Sequence, residues 1–174
     1  MEIIRNTEDF FIKEGTAVCI GKFDGVHLGH QRLLEHIVAK KAEGLKALVF
    51  TFNPTPEELL FGKKNESLCR TEEKEKYFED MGIDIVLEYP LTLENAGTEA
   101  RAFVENILID RLNMKYIAAG SDISFGKGGV GNRALIEEMS LEYGFECDII
   151  EKVRMDGVEI SSSAIRAEIA AGNT

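Results

Sequence analysis

The sequence predicts an α/β fold in which a parallel sheet carries helices on both of its faces. Short apolar runs alternate along the chain with longer segments of helical periodicity. The apolar runs are nearly continuous, which is typical of parallel strands buried on both faces. With 174 residues, no internal repeat and only three prolines, the chain has the size and continuity of one domain.

The first elements are a buried strand, a helix and a second strand. TAVCI at 16–20 is predicted as a strand, and a glycine-marked loop separates it from a helix over about 29–43. LKALVFTF at 45–52 is the second strand and ends at Asn53-Pro54. The order strand, helix, strand is the unit from which parallel sheets are built.

A helix and a third strand follow. Thr71 is predicted to cap the helix, because Glu72 and Glu73 would then lie in its first turn, where negative charge is favourable. IDIVLEY at 83–89 is the third strand, and Pro90 ends it.

The second half of the chain repeats the alternation. It begins with a long amphipathic segment whose apolar face carries Phe103, Ile107, Leu108 and Leu112. The elements after it are a strand at 115–119, a glycine-rich loop, a helix over about 132–143, a strand at 145–151, a turn at Asp156-Gly157 and a helix over about 162–171. Left-handed glycines are predicted to end the helical stretches at Gly44, Gly82, Gly144 and Gly172.

This topology also predicts where a ligand would bind. In parallel α/β sheets, ligands lie beyond the carboxyl ends of the strands, near the point where the strand order reverses. The loops at 21–29, 53–57 and 120–132 follow strands and are therefore the candidates.

Composition excludes several classes of partner. The 31 acidic and 20 basic residues give a net charge of −11, which disfavours non-specific binding to nucleic acid or to an anionic membrane. We find neither a signal peptide nor an apolar run long enough to cross a bilayer. The three cysteines are too far apart for a paired-ligand metal site, and Cys19 and Cys147 lie in strand-like runs as inert thiols. We expect a cytoplasmic protein, and the sequence does not indicate its oligomeric state.

The most informative segment is GKFDGVHLGHQ at 21–31, which joins the first strand to its helix. Glycines permit close backbone approach, the helix start offers free N–H groups, and His27 and His30 add further donors. Together they suit a phosphate group. Neither a Walker loop nor a Gly-x-Gly-x-x-Gly motif occurs here.

A second candidate lies at the start of the last predicted helix, in ISSSAIR at 160–166. The three hydroxyls alone could be a redundant N-cap. Arg166, one turn later, adds a guanidinium to the hydroxyls and the free N–H groups, and this combination suits a di- or triphosphate.

The third candidate is GSDISFGKGGVG at 120–131, in which glycine occupies five of the twelve positions. Composition alone leaves two interpretations open, a mobile lid and a solvent-exposed connector.

These segments resemble the nucleotidyltransferase module of bacterial FAD synthetases, which is usually fused to a riboflavin kinase module. The resemblance rests on the 21–31 run, on TFNPTP at 51–56, on the glycine-rich loop and on 160–166, in the family's order. His-x-Gly-His alone indicates a nucleotidyltransferase, whereas the extension FDGV and the Asn-Pro-x-Pro segment point to flavin. The implied fold is Rossmann-like, and the implied reaction forms FAD and pyrophosphate from ATP and FMN, with Mg²⁺ on the triphosphate.

The resemblance also implies roles for individual residues. Those implied for catalysis are His27, His30, Ser162 and Arg166, which would hold the ATP phosphates from two sides. Those implied for nucleotide binding are Gly21, Phe23, Asp24, Gly29, Asp122, Ser161 and Ile165. Those implied for flavin binding are Asn53, Pro54 and Phe125, and no protein ligand to a metal is implied.

An electrostatic expectation accompanies this site. Lys22, His27, His30, Lys127, Arg133 and Arg166 all belong to the segments named above. We therefore expect a locally positive pocket on an otherwise negative protein.

The sequence departs from the family pattern at positions where the family often has a basic group. Thr55 stands in place of a histidine, and Ser124, Gly129 and Ala164 stand in place of arginines. The losses keep two alternatives open: a nucleotidyltransferase for another phosphorylated acceptor, and a nucleotide- or flavin-binding module without catalysis.

We take residues 1–174 as one nucleotidyltransferase domain. A riboflavin kinase module is absent from this sequence, and we expect no riboflavin kinase activity from the chain. Whether the chain is a piece of a bifunctional enzyme or a natural single domain is not readable.

Overall fold

A computed structural model describes residues 1–64 and 66–173, and within them it contains a six-stranded parallel sheet and a two-stranded antiparallel one. The strands of the large sheet are β1 (Glu2–Arg5), β2 (Thr16–Ile20), β3 (Lys46–Asn53), β4 (Ile85–Pro90), β5 (Met114–Gly120) and β6 (Glu146–Ile150), in the spatial order β1-β4-β3-β2-β5-β6. The small sheet pairs β7 (Arg154–Met155) with β8 (Val158–Glu159). The predicted α/β class with a parallel sheet is confirmed.

Helices connect the strands as the alternating pattern predicts. They are α1 (Leu28–Ala39), α2 (Pro56–Phe61), α3 (Thr71–Met81), α4 (Ala100–Ala102), α5 (Arg133–Tyr143) and α6 (Ser162–Ala170). A short 3₁₀ segment over Lys40–Glu43 extends α1, and α4 continues as a π-helix over Phe103–Arg111. The left-handed glycines occur as predicted, with positive φ at Gly44, Gly82, Gly144 and Gly172.

Two hydrophobic clusters sandwich the sheet. Along β2, Val18 and Ile20 belong to one cluster, whereas Ala17 and Cys19 belong to the other. Successive strand residues point to opposite faces, so both faces of the central strand are buried and the run TAVCI contains no polar position except its first. The buried π-helical residue Leu108 belongs to the first cluster and Leu34 of α1 belongs to the second.

Three elements differ from the prediction. β1 was not predicted, since it is a short edge strand that pairs only with β4 and buries no side chain fully. No helix is predicted over 56–61, where the structure has α2; Thr55 and Glu58 form its capping box, in which each side chain accepts a hydrogen bond from the other residue's N–H. Thr71 begins α3 instead of capping it, because the N-cap is Arg70.

The strand order reverses at the centre of the sheet, between β2 and β5. From β2 the chain moves outward through β3 and β4, and then crosses over so that β5 pairs with the free side of β2. The loops that follow β2 and β5 therefore leave the same edge of the sheet, side by side. In the described ranges, none of the helices has the length and apolarity that crossing a membrane would require.

Candidate functional site

A cleft of about 410 Å³ opens at the carboxyl ends of the central strands. Its lining comes from the ends of β2, β3, β5 and β6 with their following loops, from the first turns of α1, and from the N-cap of α6. Among the lining residues are Gly21, His27, Gly29, His30, Asp122 and Ser161, all of which the sequence had suggested for a phosphate or nucleotide site.

A second cavity of about 390 Å³ adjoins the cleft on the side of β3, β4 and α3. The two share Lys22, Thr51, Phe52 and Thr55 in their linings, so ligand groups in the two spaces would be neighbours. Asn53, for which the family resemblance implies flavin binding, lines this second cavity.

The two histidines of the first motif stack on each other at the edge of the cleft. Their ring centroids lie 3.7 Å apart with an interplanar angle of 24°, and the ring of His30 also contacts that of Phe23 at 4.9 Å. The Nδ1 atoms of both histidines are buried and have no hydrogen-bond partner among the described residues. Buried polar nitrogens usually find a partner, so a ligand that supplies one is to be expected here.

The surroundings keep both imidazoles neutral at physiological pH. Burial lowers the pKa of His30 to about 3, and the effect is increased by the positive charge of Lys74 and by that of His27 once acid protonates it. Burial also lowers the pKa of His27 below its ordinary value. Each ring thus offers one N–H donor and one acceptor nitrogen, and neither serves as a permanent cation.

This shift predicts a specific loss of stability in acid. The unfolded chain protonates His30 near its ordinary pKa of 6.5, whereas the folded chain resists protonation until about pH 3. The unfolded state therefore binds more protons in this window, and the free energy of unfolding decreases as the pH falls from 6.5 towards 3. We expect a His30→Gln variant to show a shallower decrease in denaturant titrations across this range.

The matched control is His36→Gln, because His36 lies on the same helix and bonds the Arg32 carbonyl outside both cavities. It should keep the slope of the unmodified chain. An unchanged slope in His30→Gln would contradict the assignment of a neutral, buried His30.

Glycines let the backbone approach these rings closely. A Cβ at Gly29 would lie 3.1 Å from Cε1 of His27, and one at Gly21 would lie 3.0 Å from the ring of Phe23. Phe23 itself is fully buried, adopts a left-handed φ of 53° and does not line either cavity. In the structure the ring of Phe23 packs against that of His30.

The start of α6 packs against the turn that precedes α1. Ser161 caps the helix by accepting a hydrogen bond from the Ala164 N–H at 3.1 Å. Ser162 donates from its hydroxyl to the Asp24 carbonyl at 2.8 Å. The two motifs, which are distant in sequence, thus meet at one place, as the prediction requires.

Asp24 is the centre of this junction. Its carboxylate, which is only 5% exposed, forms an ion pair with Arg166 and accepts hydrogen bonds from Ser67 Oγ at 3.0 Å and from the Leu68 N–H at 2.8 Å. Arg166 also donates from Nε to the Glu66 carbonyl at 3.1 Å. In this arrangement the guanidinium faces Asp24 and does not line either cavity.

Of the other suggested residues, Asp122 lines the cleft, whereas Pro54, Ile165 and Phe125 line neither cavity. Asp122 pairs with Lys152 at 3.4 Å. Pro54 follows a cis peptide bond after Asn53, outside both linings, and Ile165 only donates its N–H to the Ser161 carbonyl at 2.9 Å. Phe125 is buried against Phe103 in the core, and two backbone hydrogen bonds join it to Gly131 across its loop.

The prediction of a locally positive pocket is wrong, because most of the basic groups named for it lie outside the cleft. Of the groups named for it, only Lys22 and the two neutral histidines line the cleft. Lys127 pairs with Glu99, Arg133 with Glu137 and Glu151, and Arg166 with Asp24. In the lining, Lys22 and Lys152 face four carboxylates, those of Glu57, Asp122, Glu151 and Glu159. Sequence position alone could not reveal these pairings.

Three departures from the family pattern have local structural roles. Thr55 is the N-cap of α2. Ser124 donates from its hydroxyl to the Gly129 carbonyl at 2.9 Å, and a Cβ at Gly129 would lie 2.6 Å from that hydroxyl oxygen. Since Gly129 also has a φ of +66°, the present loop shape suits glycine there and would strain an arginine.

Comparisons with known proteins agree on one family. The family model of FAD synthetase matches residues 10–164. Proteins named bifunctional riboflavin kinase/FMN adenylyltransferase are 35% identical to this chain in Escherichia coli K12, 37% in Buchnera aphidicola of Schizaphis graminum and 34% in Haemophilus influenzae. The alignments cover 92%, 95% and 98% of this chain but 52%, 54% and 56% of the relatives. The chain therefore spans about half the length of the curated relatives it matches.

The fold of this chain is also similar to that of a solved structure. A crystal structure titled as a macrolide-efflux protein from Streptococcus pneumoniae superposes with a TM-score of 0.83 at 26% identity. The match covers 98% of this chain and 56% of that one.

Proposed function

The chain belongs to the FAD synthetase family, and from that membership we propose that it transfers the AMP group of ATP to FMN, giving FAD and pyrophosphate. The observation that carries the proposal is the meeting, at the reversal point of the sheet, of the stacked neutral histidines with the serine-rich start of α6. Residues 1–174 would form the adenylyltransferase unit of FAD biosynthesis, acting on small molecules, and a cytoplasmic location remains a prediction.

For this reaction the protein needs mainly to position the two substrates and to stabilise the charge that develops on the phosphate oxygens. A phosphate oxygen of FMN attacks the α-phosphorus of ATP, the bond from that phosphorus to the bridging oxygen of the β-phosphate breaks, and pyrophosphate leaves with the electron pair. The FMN phosphate is already anionic, so the attack needs no serine nucleophile and no strong base. The protein must hold the two phosphates in line and donate hydrogen bonds to the oxygens that gain charge.

The described residues can supply these donors. His27 and His30, being neutral, can each donate one N–H towards a phosphate oxygen in the cleft. The N-cap of α6, Ser161, also lines the cleft, and the N–H groups at a helix start favour an anion. Gly29 would allow the phosphates to approach the backbone between these groups.

Mg²⁺ is proposed to arrive with ATP. Within 1–64 and 66–173, no group of three or more histidine, cysteine or carboxylate side chains is arranged to hold a metal ion. The oxygen-rich carboxylates of the cleft nevertheless suit a hydrated Mg²⁺, with Asp122 the lining carboxylate suggested for nucleotide binding. When bound, the ion would neutralise phosphate charge that the two lining lysines do not balance.

The test is one assay on the purified chain. With ATP, Mg²⁺ and FMN, we expect FAD and pyrophosphate to appear in equal amounts. Absence of either product would contradict the proposal. Calorimetry with ATP and with FMN would then distinguish between the two alternative functions. ATP binding without FMN binding indicates another acceptor, and binding of both without turnover indicates a non-catalytic module.

A further inference from the structure

Two lysines at the second cavity stand out by their lack of a counter-charge. Lys22, in the loop after β2, lines both cavities, and Lys74, on α3, lines the second. Both side chains are partly buried. Among the described residues, no carboxylate lies within ion-pair distance of either ammonium, and neither donates a hydrogen bond to another side chain.

The acidic groups of this cavity are already engaged elsewhere. Asp24 pairs with Arg166, and Glu88 pairs with Arg5. Glu58 accepts the Thr55 N–H in the capping box of α2. Although the lining holds as many carboxylates as cations, none of these carboxylates forms an ion pair with Lys22 or Lys74. Two partly buried, unpaired ammonium groups at one cavity are most readily explained by an anionic ligand.

The remaining surface of the cavity suits a phosphate and a hydroxylated chain. Apart from Phe52, its described lining residues are polar or charged, and they include the hydroxyls of Thr51, Ser67 and Thr71. This surface offers hydrogen bonds but little apolar contact for an aromatic ring. A phosphate joined to a polyol, as in a sugar or ribityl phosphate, matches it.

The position of the lysines relates this ligand to the histidines. Lys74 is close enough to His30 for its charge to act on that ring, and Lys22 lies where the cavities join. We propose that Lys22 and Lys74 bind the phosphate of the acceptor substrate and hold it at the entrance to the cleft that receives ATP. The proposal rests on the proposed function, because it names where the acceptor's phosphate binds.

The experiment compares FMN with riboflavin, which lacks the phosphate. We would titrate each flavin into the full chain and into Lys22→Met and Lys74→Met, and follow flavin fluorescence. A charge-assisted contact to phosphate supports roughly a tenfold loss of FMN affinity in each variant, with riboflavin affinity changed by less than about twofold. In FAD formation, Lys74→Met should raise the KM for FMN by a similar factor and leave the KM for ATP nearly unchanged.

Lys76→Met is the matched control, because Lys76 lies on the same helix, pairs with Asp80 and lines neither cavity. It should retain the FMN affinity of the unmodified chain, and thermal melting of all three variants checks that they are folded.

The outcomes separate this proposal from the proposed function. If the unmodified chain forms FAD and both lysine variants bind FMN as tightly as it does, the lysine site is wrong and the function stands. If a folded variant loses FMN and riboflavin affinity equally, the phosphate assignment is wrong. If the unmodified chain neither forms FAD nor binds FMN, both proposals are overturned together.

Discussion

A His30→Ala variant is expected to form FAD with a kcat reduced by about 100-fold to 1000-fold, the range for removing one donor to a charge that develops in the transition state. His30 lines the cleft, its Nδ1 has no partner among the described residues, and its ring is fixed between those of His27 and Phe23. A donor held in this way needs no reorganisation when charge develops on a phosphate oxygen. The measurement is kcat at saturating ATP and FMN.

The control distinguishes a chemical role from a packing role. His36→Ala removes the third histidine, on the same helix and outside both cavities, and should keep kcat within about twofold, as expected for a side chain without contact to substrate. His30→Ala also leaves a void beside Phe23, so its melting temperature is to be measured. Full activity in a folded His30→Ala chain would remove His30 from the site.

The fold was predictable wherever burial imposes a pattern. β2 and β3 are buried almost throughout, and their sequences are correspondingly apolar. β1 gave no such signal, because an edge strand of four residues with half-exposed side chains imposes little on its sequence. The π-helix over Phe103–Arg111 was not predictable either, because helical periodicity in the sequence does not distinguish a π-helix from an α-helix.

The site was predictable where glycine and histidine spacing coincide with a strand-to-helix junction. The pair His27 and His30 could be predicted without the rest of the chain, since His27 is the N-cap of α1 and His30 lies in the first turn of that helix. Lys74 and Lys152 were not predicted, because only the tertiary fold brings them to the cavities. The pairing of Arg166 with Asp24 joins residues far apart in sequence and was inaccessible for the same reason.

An Arg166→Ala variant is expected to lose more than about tenfold in turnover and about 1–3 kcal/mol in the free energy of unfolding, the range for losing a hydrogen bond to a charged, buried group. The substitution leaves the Asp24 carboxylate, only 5% exposed, without its cation. It also removes one of the contacts that hold α6 against the turn before α1, while the hydrogen bond from Ser162 to the Asp24 carbonyl remains. Steady-state kinetics and urea denaturation measure the two effects.

Asp24→Asn shows whether Arg166 acts through Asp24 or touches a phosphate itself. The structure directs the guanidinium to Asp24, so we expect Asp24→Asn to reduce turnover by a similar factor and the double variant to be little worse than either single one. Arg166→Lys should rescue only in part, because an ammonium cannot reproduce the two-sided contact to Asp24 and the Glu66 carbonyl. Arg101→Ala is the control, since Arg101 pairs with three glutamates on the surface. If the losses from Asp24→Asn and Arg166→Ala simply multiply, the arginine acts independently of Asp24, and a direct contact to the ATP phosphates becomes its role.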